Sequence, residues 1–385
     1  MQRTRAVTVV LLVVAILTSP FWLANLVWRA RPWRAERVQL VDYSVPYVSG
    51  REHQGAVWLL NHEKYRPPTG ARWELIGSHA GYDPTDRDHP RPISSLDLSK
   101  TDWIYVTDAY GVYEDDLKQI GAEIAHMDYN PKVFGGFSDA DAQAISDFSA
   151  RGKHILLEFN SLEEPTTPAA RAQLESLFGV KWTGWTGRTF MNLYDTLDVP
   201  RWVPRVFKQQ YGHDRMPRGP TLALVHRDGR LRLISDPIPT RVAPRIELTP
   251  QGRRTLRNVR DGAAYPNWFP IYRADAATEV LAEFVLPARP AMNAWREEES
   301  IPPRIPLLTR RTDGGSHRIY LMADLAETGF PPGRYAYTGL ARYRAATQPE
   351  ISSTIQSPER AFWQFYVPTV RQLLRAPLDA GSRGR

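Results

Sequence analysis

The sequence predicts an α/β protein, a mostly parallel sheet with helices on both faces, preceded by one N-terminal transmembrane helix. Three observations carry this. Between Asp102 and Ser161 the apolar runs DWIYVTDAY, VFGGFS and KHILLEFNS alternate with two segments of helical spacing. Strand–helix–strand–helix–strand in so short a stretch requires crossover connections, and so parallel pairing. The chain is 42% hydrophobic and 24% charged, the balance of a folded globular protein. Finally, Ala6 to Trp28 is an uncharged apolar run, long enough to cross a hydrocarbon core of about 30 Å.

That first run has Phe21, Trp22, Trp28 and Trp33 at its far end, where aromatic rings favour an interface. No small-residue cleavage site follows, and the exit is bulky and basic, so an uncleaved anchor is expected rather than a signal peptide. Arg3 and Arg5 on one side nearly balance Arg29, Arg31, Arg34 and Arg37 on the other. Long domains cross largely regardless of such charges. The expectation is a single-pass protein of the inner (plasma) membrane with its globular part outside the cytoplasm.

Beyond the basic flank, VQLVDYSV (38–45) reads as a core strand and REHQGAVWLLNHEKY as a helix with Val57 and Leu60 inward. WELIG (73–77) is β-like. The loop SHAGYDPTDRDHPRP holds His79, Asp83, Asp86, Asp88 and His89, but lacks the alternating acids and turn glycine of a calcium loop; no metal is expected. In the central stretch, one helix opens on Glu114, Asp115 and Asp116 and turns Leu117, Ile120 and Ile124 inward. The next starts at Ser138, buries Ala142, Ile145 and Phe148, and stops before Gly152.

TTPAARAQLESLFGV has a threonine–proline helix start. KWTGWTGR (181–188) reads as a turn-rich surface segment. VPRWVPRVFKQQYG is a proline-punctuated helix, and residues 219–235 form a hairpin about Asp228-Gly229. TEVLAEFVL and HRIYLMADLAE are strands returning to the main body, separated by a polar excursion from Trp295 through IPPRIP. PERAFWQFYVPTVRQLL is an amphipathic helix, followed by a tail, APLDAGSRGR, expected to be disordered. The expected organisation is an anchor and flank (1–37), an α/β domain (38–345) with a hairpin-containing insertion near 219–300, and a C-terminal helix and tail (346–385).

Charge and composition narrow the function. There is no cysteine, which excludes disulfides, thiolate metal sites and a cysteine nucleophile. Residues 38–200 carry 14 basic and 24 acidic side chains, and residues 201–385 carry 29 and 17. The pI near 9.5 therefore reflects an uneven chain rather than one basic face, and no nucleic-acid partner is expected. No cofactor motif is present.

Ligands of parallel sheets bind beyond the carboxyl ends of the strands. That rule places Asp108, Tyr110, Gly135, Gly136, Glu158, Asn160 and Ser161 at one rim, with Asp324 at a further strand end. A carboxylate pair such as Asp108 and Glu158 suits glycoside hydrolysis; the same acids equally suit helix capping or pairing with arginine. Ser161 has no Gly-x-Ser-x-Gly elbow to make it a nucleophile. For binding, Trp182, Trp185 and Arg188 put two indoles and a guanidinium in one short string, and such rings fit sugar faces.

The succession GGFSDADAQAISDFSARGKHILLEFNS resembles the core of class I glutamine amidotransferase-like domains, which implies a flavodoxin-like sheet. In that family a cysteine occupies the turn after the last of these strands, and a downstream His-x-Glu completes a triad. Here the turn reads Glu158-Phe159-Asn160-Ser161, and the nearest echo of the pair is His226-Arg227-Asp228. Without a thiolate the chain is not a glutaminase. The resemblance is to a degenerate branch that keeps the fold without the triad. It implies a membrane-anchored, non-catalytic protein of the cell envelope, binding or assembling with polysaccharide or an envelope protein complex. A glycan hydrolase built on Asp108 and Glu158 is the alternative, and a cytoplasmic-facing scaffold a third.

Overall fold

The computed structural model describes residues 2–117, 131–238, 241–328, 332–348 and 358–382. The chain runs α1 (Gln2–Ala30), β1 (Val38–Asp42), α2 (Gln54–His62), β2 (Ala80–Gly81), β3 (Trp103–Asp108), β4 (Val112–Tyr113), β5 (Lys132–Phe134), α3 (Asp139–Ala150), β6 (His154–Glu158) and α4 (Pro168–Phe178). It continues through β7 (Val180–Phe190), α5 (Trp202–Tyr211), the hairpin β8 (Thr221–His226) and β9 (Leu231–Ser235), β10 (Arg245–Leu248), α6 (Pro250–Thr255), β11 (Phe269–Ala274), β12 (Glu279–Val285) and α7 (Pro290–Glu298). Then come β13 (Arg304–Asp313), β14 (Ser316–Leu321), α8 (Leu340–Thr347), α9 (Pro358–Arg360), a π-turn (Ala361–Tyr366) and α10 (Val367–Ser382).

The central sheet has the order β10-β12-β13-β14-β6-β3-β1-β2. Its β2-β1-β3-β6-β14 half is parallel, while β14, β13, β12 and β10 pair antiparallel. The sheet is thus mixed rather than mostly parallel. The tight turn at Gly314-Gly315 folds β13 directly onto β14, and an antiparallel pair needs no crossover helix. A second, antiparallel sheet, β11-β7-β8-β9, carries the string KWTGWTGR inside β7, not on a surface turn. WELIG forms no strand.

Local signals account for the parallel half. Ser138 and Asp141 form a reciprocal capping box at α3: Ser138 Oγ accepts from Asp141 N at 3.1 Å, and Asp141 Oδ2 accepts from Ser138 N at 3.0 Å. Such a cap stabilises a helix by about 1 kcal/mol. Thr167 caps α4 ahead of Pro168, and Gly179 ends it at φ 66°. A Cβ at Gly179 would lie 2.1 Å from Thr278 Oγ1, so no other residue fits without displacing β12's lead-in. Of the first expected central helix, Glu114–Leu117 is a single 3₁₀ turn, and Ile120 and Ile124 lie outside the described residues.

Strand alternation then assigns faces. Ile104 and Val106 point with Ile155 and Leu157 toward α3 and α4, where Ala142, Ile145, Phe148 and Leu174 are fully buried. Trp103 and Tyr105 point with Leu156 the other way, toward α2 and the C-terminal helix, whose Phe362, Trp363, Phe365 and Tyr366 are buried. Each large apolar side chain so removed from water contributes roughly 1.5–3 kcal/mol. The expected disordered tail from Ala376 is helical as far as Ser382; residues 383–385 lie outside the described ones.

The membrane anchor is not supported. Among the described residues no helix is long and apolar enough to cross a membrane. Thr18, Ser19, Pro20 and Asn25 interrupt the apolar run, and the end of α1 is taken up by protein contacts. Asn25 Nδ2 donates to Ala336 O at 2.6 Å, and Thr338 N to Ala24 O at 3.0 Å. Trp28 is buried, donating to His62 O at 2.9 Å, with Lys64 Nζ 4.4 Å above its ring. The single-span anchor, and the inner-membrane placement that rested on it, therefore fall.

Candidate functional site

The parallel strands deliver carboxyl groups to one edge. β1, β3 and β6 end in Asp42, Asp108 and Glu158, and Asp324 follows β14. Asp42 is fully buried and satisfied. Its Oδ1 accepts from Ser44 N at 2.8 Å, and its Oδ2 accepts from Thr107 Oγ1 at 2.9 Å and lies 3.0 Å from His53 Nδ1. The other ring nitrogen of His53 lies 2.7 Å from the carbonyl of Leu75. Two acceptors on one imidazole favour the doubly protonated ring. Burial pulls the His53 pKa down, but the hydrogen bond and charge of Asp42 outweigh it and the net direction is up. His79, its ring tilted against that of His53 at 4.6 Å, is pushed the other way, to about 4, by burial and by the charge of His53.

Four further carboxyl groups lie around this pair with partial exposure: Glu52, Asp108, Asp324 and Glu327. Burial, then the negative charge of Asp42, raises Asp108 well above the carboxylate range, against a hydrogen bond from Tyr110 N at 2.6 Å. Asp324 is raised by burial and by Glu327, and Glu52 by burial to about 7. Glu327 holds an ion pair with Arg51 at 2.9 Å. Like charges that share one edge cannot all ionise, so part of the set is protonated and donates hydrogen bonds while the rest accepts them. Tyr47 and Tyr110 flank the acids with 41% and 43% of their surface exposed, and the Tyr110 ring packs at a tilt against Tyr113 at 5.0 Å.

The rim's backbone is tightly built. Gly111 and Gly135 adopt φ 106° and 133°, and a Cβ on Gly111 would sit 2.1 Å from Phe134 O. The glycines of VFGGFS thus bring that loop against the turn after Asp108. Asn160 takes φ 49° in the turn after β6, a left-handed position that asparagine tolerates. Next to it Ser161 is buried, its hydroxyl donating to Glu158 O.

Glu158 does not face the opening. It is fully buried, Tyr105 OH donates to its Oε1, and Tyr105 meets the Tyr366 hydroxyl of the C-terminal helix. Burial pushes its carboxyl up to about 8 against those hydrogen bonds. Asp108 and Glu158 thus occupy neighbouring strand ends but different environments, one at the rim and one in the core.

The tryptophan string is divided. Trp182 is half-buried in a cleft of about 250 Å³, with Arg171 at 5.1 Å and Arg227 at 5.8 Å over its ring. Trp185 is 1% exposed, edge-on to Trp295, because strand alternation in β7 sends it into the core. Arg188 pairs with Asp198 and lies over Phe190 at 4.6 Å. Among the described residues, no group of three or more histidines and acids is placed to hold a metal ion. Asp42 was legible as a strand-end acid like Asp108; Glu52, His53 and Glu327 had no signal, because their pairing is tertiary.

No family model matches the chain, and no curated protein matches it. Among solved structures it is similar to a β-galactosidase from Bacillus circulans sp. alkalophilus, at 12% identity and TM-score 0.37, over 76% of this chain and 30% of that one. A carbohydrate deacetylase is 12% identical at TM-score 0.32, over 75% of this chain and 29% of that one. A ThuA-like protein from Bacteroides uniformis is 9% identical at TM-score 0.36, over 77% and 85%. The chain spans about a third of the length of the β-galactosidase and of the deacetylase.

Proposed function

We propose that this chain binds a neutral saccharide at the acidic, tyrosine-flanked rim, on an amidotransferase-like core that has no triad. The observation that supports the reading is the convergence of Glu52, Asp108, Asp324 and Glu327 at the carboxyl ends of parallel strands beside the partly exposed rings of Tyr47 and Tyr110. Carboxyl groups in both protonation states accept from and donate to sugar hydroxyls, and phenol rings cover the apolar face of a pyranose. An anionic ligand would meet repulsion here.

Titration calorimetry of the purified chain against neutral oligosaccharides tests the proposal. Tyr110→Ala is expected to weaken binding tenfold or more, and Asp108→Asn several-fold, with folding retained. No heat with any neutral oligosaccharide at millimolar concentration refutes it. A hydrolytic version is favoured by one observation, the raised and partly open Asp108 near Glu327, which pairs with Arg51. Asp108 is the acid and Glu327 the base in that version, because Glu158 is closed off by tyrosines. Turnover of aryl glycosides that vanishes in Asp108→Asn and Glu327→Gln supports it; no turnover leaves binding alone.

A further inference from the structure

Away from the acidic rim, a cleft of about 480 Å³ opens between α8, the C-terminal helix and the Arg257-Asn258 turn. Four guanidinium groups line it, those of Arg257, Arg342, Arg371 and Arg375, and among the described residues no acidic side chain does. Among the described residues, the carboxylate that pairs with these guanidinium groups is the buried Glu63. It is already shared by Arg31 at 3.8 Å, Arg34 at 3.7 Å, Arg371 at 2.8 Å and Arg375. One carboxylate thus answers four guanidinium groups, before Arg257 and Arg342 are added. The excess is felt locally: burial, and then repulsion from Arg375, Arg371 and Arg34, lowers the pKa of Arg31 even with Glu63 beside it. The Nε atoms of Arg371 and Arg375 are buried with no hydrogen-bond partner among the described residues.

We propose that this cleft is a binding site for the phosphate group of a small phosphorylated molecule with an apolar body. Guanidinium forks match the oxygen spacing of phosphate and hold a divalent anion better than one carboxylate could. The volume exceeds that of a bare phosphate and falls in the range of small-molecule sites. The rest of its lining mixes polar His62, Asn258, Thr338 and Gln372 with apolar Ala341, Trp363 and Val367, and the apolar part would cover the ligand's body. The site is independent of the saccharide reading, since its charge is of opposite sign and its residues come from other elements.

Calorimetry with inorganic phosphate and with phenyl phosphate tests this on the full chain. Both probes are expected to bind, phenyl phosphate tighter than inorganic phosphate alone. The double variant Arg257→Ala/Arg342→Ala leaves the Glu63 cluster intact and should weaken both probes at least tenfold without shifting the melting temperature of the free protein. Absence of binding at millimolar probe, or affinity unchanged in the double variant, overturns the proposal. Tyr110→Ala, which tests the rim, should leave phosphate binding untouched.

Discussion

Truncating Trp185 separates the two roles open to the tryptophan string. The ring is 1% exposed and sits edge-on to Trp295 at 5.4 Å, beside His226 at 5.0 Å and beneath Arg230 at 5.2 Å. Its Nε1 donates to Glu299 Oε2 at 3.1 Å. Trp185→Ala therefore opens a cavity between the second sheet and α7, at a cost of about 3–5 kcal/mol. Losing the indole donor adds little, because Glu299 keeps its ion pair with Arg230. An unfolding entropy of about 2.1 cal/mol/K per residue gives roughly 0.8 kcal/mol/K for a chain of this length, so the melting temperature should fall by ~4–6 °C. Differential scanning calorimetry of the full chain measures this directly. A melting temperature within about 1 °C of wild type would refute the core assignment and return Trp185 to the surface.

Glu158→Gln should flatten part of the pH dependence of stability. A carboxyl that titrates near 8 when folded and near the ordinary value when unfolded binds more protons in the folded state between those limits. Stability should fall as pH rises from about 5 to 8 in the wild type, by up to several kcal/mol, and fall less in the variant; urea melts at pH 5, 6.5 and 8 that show identical slopes would disprove this. The buried Asp42–His53 pair works in the same sense from the histidine side. The raised pKa of His53 supplies stability at low pH that is lost as pH climbs through its folded value. Asp42→Asn, which leaves that imidazole without its carboxylate, should cost about 3–5 kcal/mol in denaturant unfolding near pH 6, and a cost below about 1 would show the pair to be uncharged.

Much of the parallel half could be read before the structure because its signals are local. Ser138 and Asp141 cap α3 within a single turn, Thr167-Pro168 starts α4, and Asp228-Gly229 closes the β8–β9 hairpin. Each depends on residues within a few positions of one another, as propensity and turn chemistry do. The membrane run failed for the complementary reason. Hydropathy counts side chains along one helix, whereas Asn25 and Trp28 are engaged by residues elsewhere in the chain, Ala336 and His62.

What the sequence alone determined is the pair of strands ending in Asp108 and Glu158 with the capped α3 between them, and the exclusion of thiolate chemistry by the lack of any cysteine; the intervening VFGG strand pairs instead with β4 in a separate two-stranded sheet. The tertiary structure decided the rest. Antiparallel pairing of β14, β13, β12 and β10 made the sheet mixed, because periodicity names a strand but not its neighbour. It also divided the strand-end acids. Tyr366 reaches Tyr105 across 261 positions and seals Glu158 into the core, while Asp108 stays at the rim with Glu52 and Glu327. A carboxyl's protonation and access are set by the atoms within a few ångströms, and in a folded chain those come from distant residues.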